Sequence, residues 1–164
     1  MPVLHKLSEL SEEHKFVLSV GSPSVRKKIY DKFDKLISHT KWISIILPNA
    51  SASKKDVFLR ESINIMQFVM ISTSVSIGKG TLINVGSKIH HDVTVGNFCK
   101  ICPMVATTGN CQIGDEVFID TGACILPNIK IDNGAKIGAG AVITEDVPAG
   151  SSVIFKNLIN RIWQ

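Results

Sequence analysis

Two adjacent histidines and the aspartate after them are the residues whose types and spacing best suit chemistry in this 164-residue sequence. Asp92 directly follows His90 and His91, and a carboxylate beside an imidazole can fix the ring tautomer and orient it. An imidazole held in this way suits general-base removal of a proton from an amine or a hydroxyl group. No histidine follows His91, which argues against a zinc site made of three histidines.

The histidines lie within residues 57–153, which repeat every six residues without an insertion. The third residue is Ile, Leu or Val in fourteen of the sixteen hexads, and the first is small or β-branched. Such a period predicts a parallel β-helix, in which three hexads form one triangular coil and each hexad supplies a short strand and a corner. The sixteen hexads predict about five coils.

Residues that are one coil apart in sequence are expected to stack inside the β-helix. One predicted column is Ile65, Ile83, Ile101, Ile119 and Ile137. Ile89 faces inward in the same way, so His90 and His91 are predicted to lie at a corner or on the outer face. Four glycines follow an apolar column residue, namely Gly78, Gly96, Gly114 and Gly138. We expect their corners to need a backbone angle that other residues resist.

Residues 1–56 form a separate front segment, which holds ten Lys or Arg against six Asp or Glu and only one glycine, Gly21. Lys15–Val20 and Trp42–Leu47 are predicted strands. A helix is predicted between them from apolar residues at helical spacing, namely Val25, Ile29, Phe33 and Ile37. The chain is therefore predicted to be mainly β, with a small α/β segment (1–56), a β-helix (57–153) and a tail (154–164).

Arg26, Lys27 and Lys28 form a basic run at the start of the predicted helix. No aromatic residues or nucleic-acid motif accompany the run, so a solvated helix face is favoured over nucleic-acid binding. A phosphate bound near the Gly21 turn stays open as an alternative, because helix N-termini attract anions. No stretch reaches the roughly eighteen apolar residues of a membrane span, and residues 1–13 lack the apolar core of a signal peptide. We predict a cytoplasmic protein with no nucleic-acid partner and no membrane insertion.

The four cysteines are interpreted as packing residues of a protein in a reducing cytoplasm. Cys99 and Cys111 occupy the small first position of a hexad. Cys99 and Cys102 have the spacing of half a zinc site, but no second pair and no spaced histidine completes it. We therefore predict no metal.

Several stretches of the repeat resemble the hexapeptide-repeat acyltransferases, and in particular sugar acetyltransferases of the sialic-acid O-acetyltransferase (NeuD) type. Residues 77–96 read IGKGTLINVGSKIHHDVTVG and carry the most selective part of the likeness. Ile101-Cys102-Pro103, residues 137–143 (IGAGAVI) and residues 147–150 (VPAG) also match the pattern of that family.

This resemblance implies a left-handed parallel β-helix and an acetyl-CoA-dependent acetyltransferase, with acetyl-CoA as co-substrate. The implied acceptor is an amine or hydroxyl of a sugar, which can be nucleotide-linked, in bacterial surface-polysaccharide synthesis. The resemblance also implies a homotrimer in which each active site lies between neighbouring subunits.

The resemblance assigns roles to seven residues of this chain. His91 takes the place of the catalytic base, Asp92 that of the acid which orients it, and Asn84 that of an asparagine near the acceptor sugar. Four further positions are implied to contact acetyl-CoA: Gly109 and Ala139 through their backbone, Thr121 along the path of the pantetheine arm, and Lys100 where many relatives have a second histidine.

The chain departs from the family pattern at both ends of the β-helix. Lys15–Leu47 resembles only the later part of the nucleotide-binding domain of these enzymes, without its glycine-rich turn, and residues 155–161 replace the usual closing motif. Two alternatives therefore remain open. One is an acetyltransferase for a small free acceptor such as serine, a simple sugar or an antibiotic. The other is a non-catalytic β-helix that serves as an assembly subunit.

Overall fold

The computed structural model describes residues 14–36 and 41–154. Most of them form a parallel β-helix of about six coils, which is consistent with the predicted left-handed form. The predicted mainly β fold with one helix near the N-terminus is therefore confirmed. The predicted tail, apart from Ile154, and the first residues of the front segment lie outside the described residues.

Three parallel sheets make up the walls of the β-helix. The first sheet contains β3 (Ile45–Ile46), β6 (Asn64–Ile65), β9 (Leu82–Ile83), β12 (Lys100–Ile101), β15 (Phe118–Ile119), β18 (Lys136–Ile137) and β20 (Ser152–Val153). The second contains β4 (Ser51–Ala52), β7 (Met70–Ile71), β10 (Lys88–Ile89), β13 (Ala106–Thr107), β16 (Cys124–Ile125) and β19 (Val142–Ile143). The third contains β5 (Val57–Leu59), β8 (Val75–Ile77), β11 (Thr94–Val95), β14 (Gln112–Ile113) and β17 (Lys130–Ile131).

Strand pairing confirms the predicted stacking of residues one coil apart. In the first sheet, Ile101 pairs with Ile83 on one side and with Ile119 on the other, eighteen residues away in each direction. The inward column of that sheet is buried from Ile65 to Ile137, and four of its five members have no exposed surface. Stiff β-branched side chains pack well at such positions, so the column forms the core of the β-helix.

The sheets begin ahead of Val57, because β3 pairs with β6 and β4 pairs with β7. Ser51 pairs with Met70, nineteen residues away, whereas Val57 pairs with Val75, eighteen residues away. One extra residue between 52 and 57 therefore interrupts the six-residue period, which explains why the repeat was not visible further upstream. The predicted strand Trp42–Leu47 is divided: β2 (Lys41–Trp42) pairs with β1 (Lys15–Phe16), while β3 joins the β-helix.

The corners explain two features of the repeat. From residue 57 to residue 140, the residue with a left-handed backbone is the sixth of each hexad, as at Ser62, Phe68, Ser74 and Gly80. The expectation that Gly78 and Gly96 need an unusual backbone angle is wrong, because neither has a positive φ. A Cβ atom on Gly78 would instead lie 2.5 Å from the carbonyl carbon of Gly96 in the next coil. Those glycines are needed because the coils approach closely.

The described part of the front segment that precedes β3 contains β1, β2 and one helix, α1 (Pro23–Leu36). It packs on the β-helix through aromatic rings. The Tyr30 ring lies 4.7 Å from that of Trp42 and 5.3 Å from that of Phe98. No helix among the described residues is long and apolar enough to cross a membrane.

Arg26 is not part of a solvated helix face, so that prediction is wrong for this residue. Its side chain is fully buried, whereas Lys27 and Lys28 are exposed. The guanidinium donates hydrogen bonds to the carbonyl oxygens of Gly80 at 2.7 Å and Val20 at 2.7 Å. Burial lowers the pKa of Arg26 to about 10. Carbonyl acceptors at Nε and Nη1 offset part of the loss of hydration, while the buried Nη2 has no hydrogen-bond partner among the described residues. Through these bonds the cation joins the front segment to a corner of the β-helix.

Candidate active site

His91 and Asp92 lie at the second corner of the β-helix, which connects the second sheet to the third. The Nδ1 atom of His91 is 2.8 Å from the Oδ2 atom of Asp92, and the side chains are 59% and 56% exposed. A carboxylate only accepts hydrogen bonds, so this contact places the proton of a neutral ring on Nδ1. Nε2 then carries the lone pair that can accept a proton from an acceptor molecule.

The local backbone holds this pair in place. Asp92 adopts a left-handed conformation with a φ of 59°, which aspartate tolerates better than most residues. Its amide donates to the carbonyl of Thr73 in the preceding coil, and the carbonyl of His91 accepts from the amide of Asn110 in the next. Both residues are therefore tied to the coils on either side.

Gly109 lies directly beside the His91 ring, one coil further on. A Cβ atom on Gly109 would be 2.5 Å from Cε1 and 2.8 Å from Nε2 of that ring. The structure thus brings together three of the predicted site residues, His91, Asp92 and Gly109.

The other predicted site residues lie elsewhere in the chain. Asn84, Thr121 and Ala139 occupy the first corner, between the first and second sheets, in three different coils. The Nδ2 atom of Asn84 donates a hydrogen bond to the carbonyl of Ile101 at 3.0 Å. This bond within the chain orients the side-chain amide. Thr121 and Ala139 are exposed. Within one chain the first corner and the second corner form separate edges of the β-helix.

Lys100 lies on the outer face of the first sheet, next to the front segment. Its Nζ atom is 5.3 Å from the centre of the Phe118 ring. Phe118 pairs with Lys100 on one side and with Lys136 on the other. A cleft of about 640 Å³ is lined by these three side chains together with Gly21–Ser24, Glu116 and Gly134. Sequence reasoning missed Phe118 and Lys136. Phe118 is one coil from Lys100 and Lys136 is two coils from it, and this spacing was a usable signal. The position of the front segment, which forms the other wall of the cleft, could not be read from the sequence.

The cysteines show no sign of a second catalytic centre. Cys99 and Cys111 are fully buried, and their thiols contact the carbonyls of Gly114 at 3.0 Å and Leu126 at 3.2 Å. Burial raises the pKa of the Cys99 thiol to about 12, so it remains protonated and unreactive. Within residues 14–36 and 41–154, no group of three His, Cys, Asp or Glu residues could hold a metal ion.

Comparison with known proteins gives the context of this geometry. Residues 110–145 match the family described as bacterial transferase hexapeptide (six repeats). The serine acetyltransferase of Buchnera aphidicola is 32% identical over 126 residues, which cover 72% of this chain and 45% of that protein. The serine acetyltransferase of Staphylococcus aureus is 32% identical over 129 residues, which cover 71% of this chain and 61% of that protein. The chain therefore spans about half the length of these curated relatives.

Solved structures resemble the chain over more of its length. The acetyltransferase domain of PglB from Neisseria gonorrhoeae in complex with acetyl coenzyme A has a TM-score of 0.84 at 28% identity, covering 89% of this chain and 70% of that one. WeeI from Acinetobacter baumannii has a TM-score of 0.85 at 26% identity, covering 92% and 72%.

A third structure was solved with both coenzyme A and a sugar nucleotide. PerB from Caulobacter crescentus in complex with CoA and GDP-perosamine has a TM-score of 0.79 at 28% identity, covering 84% of this chain and 65% of that one. Together these matches support the predicted acyltransferase class. The β-helix of this chain is thus similar to that of the hexapeptide-repeat acetyltransferases.

Proposed function

We propose that the protein is an acetyl-CoA-dependent acetyltransferase that acts on an amine or a hydroxyl group of a sugar. The observation that carries this proposal is the 2.8 Å contact between His91 and Asp92 on the corner of a β-helix. Similarity to acetyltransferases solved with acetyl coenzyme A, or with CoA and GDP-perosamine, supports the co-substrate and the sugar acceptor. An amine acceptor is favoured, because a perosamine N-acetyltransferase is among the similar structures.

The chemistry follows from the orientation of the imidazole. The acceptor nitrogen or oxygen attacks the thioester carbonyl carbon, while Nε2 of His91 takes the proton that the acceptor loses. A backbone amide stabilises the negative charge that develops on the carbonyl oxygen. The carbon–sulfur bond then breaks, and the thiolate of coenzyme A leaves and takes up the proton. Asp92 keeps Nδ1 protonated and so leaves Nε2 free to act as the base.

A groove between two copies of the chain is the proposed location of the complete site. His91 lies at the second corner, while Asn84, Thr121 and Ala139 lie at the first corner, so one chain does not supply a single pocket for all of them. Exposed apolar residues support assembly at the first corner: Phe68 is 62% exposed and Met104 is 63% exposed. We therefore propose a homotrimer, in which the second corner of one subunit faces the first corner of the next.

The cleft beside α1 supports an anionic acceptor such as a nucleotide-linked sugar of surface-polysaccharide synthesis. Neither Lys100 nor Lys136 forms an ion pair with another described residue, whereas the nearby Glu116 is 3.5 Å from Lys27. The ammonium groups of Lys100 and Lys136, which have no ion-pair partner within residues 14–36 and 41–154, line this cleft together with the phenyl ring of Phe118. Such a lining suits a phosphate that carries an apolar or planar group. Arg26 does not line this cleft, because its side chain is fully buried and its Nε and Nη1 atoms donate to backbone carbonyls.

A small free acceptor is the second candidate. The 32% identity with serine acetyltransferases favours serine within that class. The third candidate, a non-catalytic assembly subunit, predicts no turnover with any acceptor.

Release of free coenzyme A from acetyl-CoA tests these candidates directly. UDP-, GDP- and CMP-linked amino sugars, free amino sugars and serine would be compared at equal concentration. We expect the nucleotide-linked amino sugars to give the highest rate, and Lys136→Glu to raise the acceptor KM at least tenfold while the acetyl-CoA KM is unchanged. Lys88→Glu, on the outer face of the second sheet, is the matched control. Turnover with serine alone would overturn the sugar acceptor, and no turnover with any of them would favour the assembly subunit.

A further inference from the structure

We infer that Gly109 is a positioning residue, because the space left by its missing side chain is the space in which the His91 ring lies. The effect of Gly109 on turnover rests on the proposed function. The steric relation between Gly109 and His91 is independent of that function. The resemblance to sugar acetyltransferases gave Gly109 only a backbone contact with the pantetheine arm. The structure assigns it a second task within the protein itself.

The contacts of Gly109 single out one neighbour. The three atoms nearest to a Cβ on Gly109 are Cε1, Nε2 and Nδ1 of His91, at 2.5, 2.8 and 3.2 Å. Gly78 and Gly96 differ, because their nearest neighbours include backbone atoms of the following coil. Gly80 and Gly86 also lie against side chains, those of Phe98 and Met104, but both have a positive φ. Gly109 is set apart because it faces an imidazole and has no positive φ.

Backbone conformation does not require glycine at this position. Gly109 is absent from the residues with a positive φ, so alanine can adopt its backbone angles without strain. Its carbonyl accepts from the amide of Asn128, and the amide of Asn110 donates to the carbonyl of His91. These hydrogen bonds fix the coil on both sides of Gly109. An added methyl group must therefore displace the ring rather than the backbone.

The His91 ring has room to move, because its side chain is more than half exposed. A ring pushed outward loses the geometry of its contact with Asp92, and with it the fixed tautomer. Gly109→Ala should consequently fold normally but present Nε2 in the wrong place. The spacing between the base and this glycine is one coil of eighteen residues, which is the same spacing that pairs the strands on either side of them.

A cycle of variants tests this inference through stability and through the ring itself. Thermal unfolding would be measured for the wild type, Gly109→Ala, His91→Ala and the double variant. We expect Gly109→Ala to lower Tm in the wild type and to leave Tm unchanged or raised in the His91→Ala background. Gly78→Ala is the matched control, since it meets backbone and should lower Tm equally in both backgrounds. An equal effect of Gly109→Ala in the two backgrounds would overturn the inference.

Two further measurements separate a displaced base from other effects. Carbon–proton NMR spectra of the histidine rings should show the His91 resonances shifted in Gly109→Ala, while the backbone resonances of other coils stay in place. With the acceptor identified, kcat should fall at least tenfold. Calorimetry should give the same acetyl-CoA affinity for His91→Ala with and without the Gly109 substitution. A loss of that affinity together with unshifted His91 resonances would overturn the inference and assign Gly109 to the pantetheine contact alone. Failure to find any acceptor would count against the proposed function but would leave the Tm and NMR results valid.

Discussion

The histidine pair shows how one contact separates two residues that look alike in the sequence. Asp92 contacts His91 and not His90 through its carboxylate, while the backbone amide of His90 donates to the carbonyl of Thr107. Adjacent residues in a sequence can thus have different tasks at a corner, because their side chains leave the backbone in different directions.

Substitution of each histidine in turn tests this separation. His91→Ala should reduce kcat by a factor of about 100 to 10,000, the usual contribution of a general base, with little change in acetyl-CoA affinity. His90→Ala should retain most of the rate. Initial-rate assays with a verified acceptor, together with circular dichroism to check folding, would measure both. Comparable losses for the two variants would contradict the assignment of His91 as the base.

The thiols provide a prediction that follows from burial. Cys99 and Cys111 are fully buried, Cys102 is buried, and Cys124 is partly exposed. In the native protein, iodoacetamide at pH 8 should therefore label Cys124 first and Cys99 only after denaturation, as mass spectrometry of digested samples would show. Early labelling of Cys99 would mean that its coil opens locally.

The raised pKa of Cys99 also predicts that stability falls as pH rises above about 9, because the unfolded thiol then loses its proton while the folded thiol keeps it.

At the residue scale, the sequence predicted what depends on neighbours in the chain. A contact between an imidazole and Asp92 could be expected because the residues are adjacent, whereas the choice of His91 over His90 came from the family resemblance. The burial of Arg26 was not predicted, because it depends on where the front segment docks. The relation of Gly109 to His91 was also missed, although both residues were named, because stacking of coils had been applied to the inward columns and not to the corners.

At the scale of the elements, polar side chains join successive coils at the third corner, between the third and first sheets. The Oδ1 atom of Asp115 accepts from the amide of Asn97 at 2.7 Å and from its Nδ2 at 3.1 Å. Oδ1 of Asn133 accepts from the amide of Asp115 at 2.8 Å, one coil later. This ladder satisfies corner amides that the flat strands leave without a partner.

Replacement of Asp115 tests the contribution of the ladder. Asp115→Ala should lower the free energy of unfolding by about 1–3 kcal/mol, since it leaves partly buried donors of Asn97 unsatisfied. Asp115→Asn keeps the accepting oxygen and should retain most of the stability. Urea unfolding followed by circular dichroism would measure both variants. Equal losses for alanine and asparagine would show that the charge, and not the hydrogen bond, is what matters.

The elements were the part of the fold that the sequence predicted best. The six-residue period placed the inward columns between residues 57 and 143, because the strand and the corner take the same number of residues in each of those turns. The last hexad is an exception, since Val147 pairs with Ile131 and Val153 with Ile137, sixteen residues away in each case. The first coil was missed because a single extra residue shifts its register to nineteen. The reason given for the corner glycines was also wrong. A positive φ and a close approach of two coils both require glycine, so the sequence alone does not distinguish them.

For the whole molecule, the placement of predicted site residues at two separate corners leads to a test of assembly. His91→Ala removes the base at the second corner, while Ala139→Trp should block the pantetheine path at the first corner. Each variant alone should be inactive. If every site combines the second corner of one subunit with the first corner of the next, co-expression in equal amounts should restore about a quarter of the wild-type rate. Absence of any restored activity in trimers shown by sedimentation to be mixed would mean that each chain holds a complete site.

Between residues 57 and 143 the coils keep a constant eighteen-residue register, which gives this molecule a unit of length. An insertion of eighteen residues at a corner would add one coil, or about 4.8 Å, and return every later side chain to its original wall. An insertion of six residues would add one strand and one corner, so every later strand would move to the next of the three sheets. A residue of the first corner would then lie at the second corner. The pair of His91 and Gly109 spans one such unit. Insertion of whole coils before His91 or after Gly109 therefore preserves the contact between the two residues. An insertion or deletion between them separates them and destroys the contact.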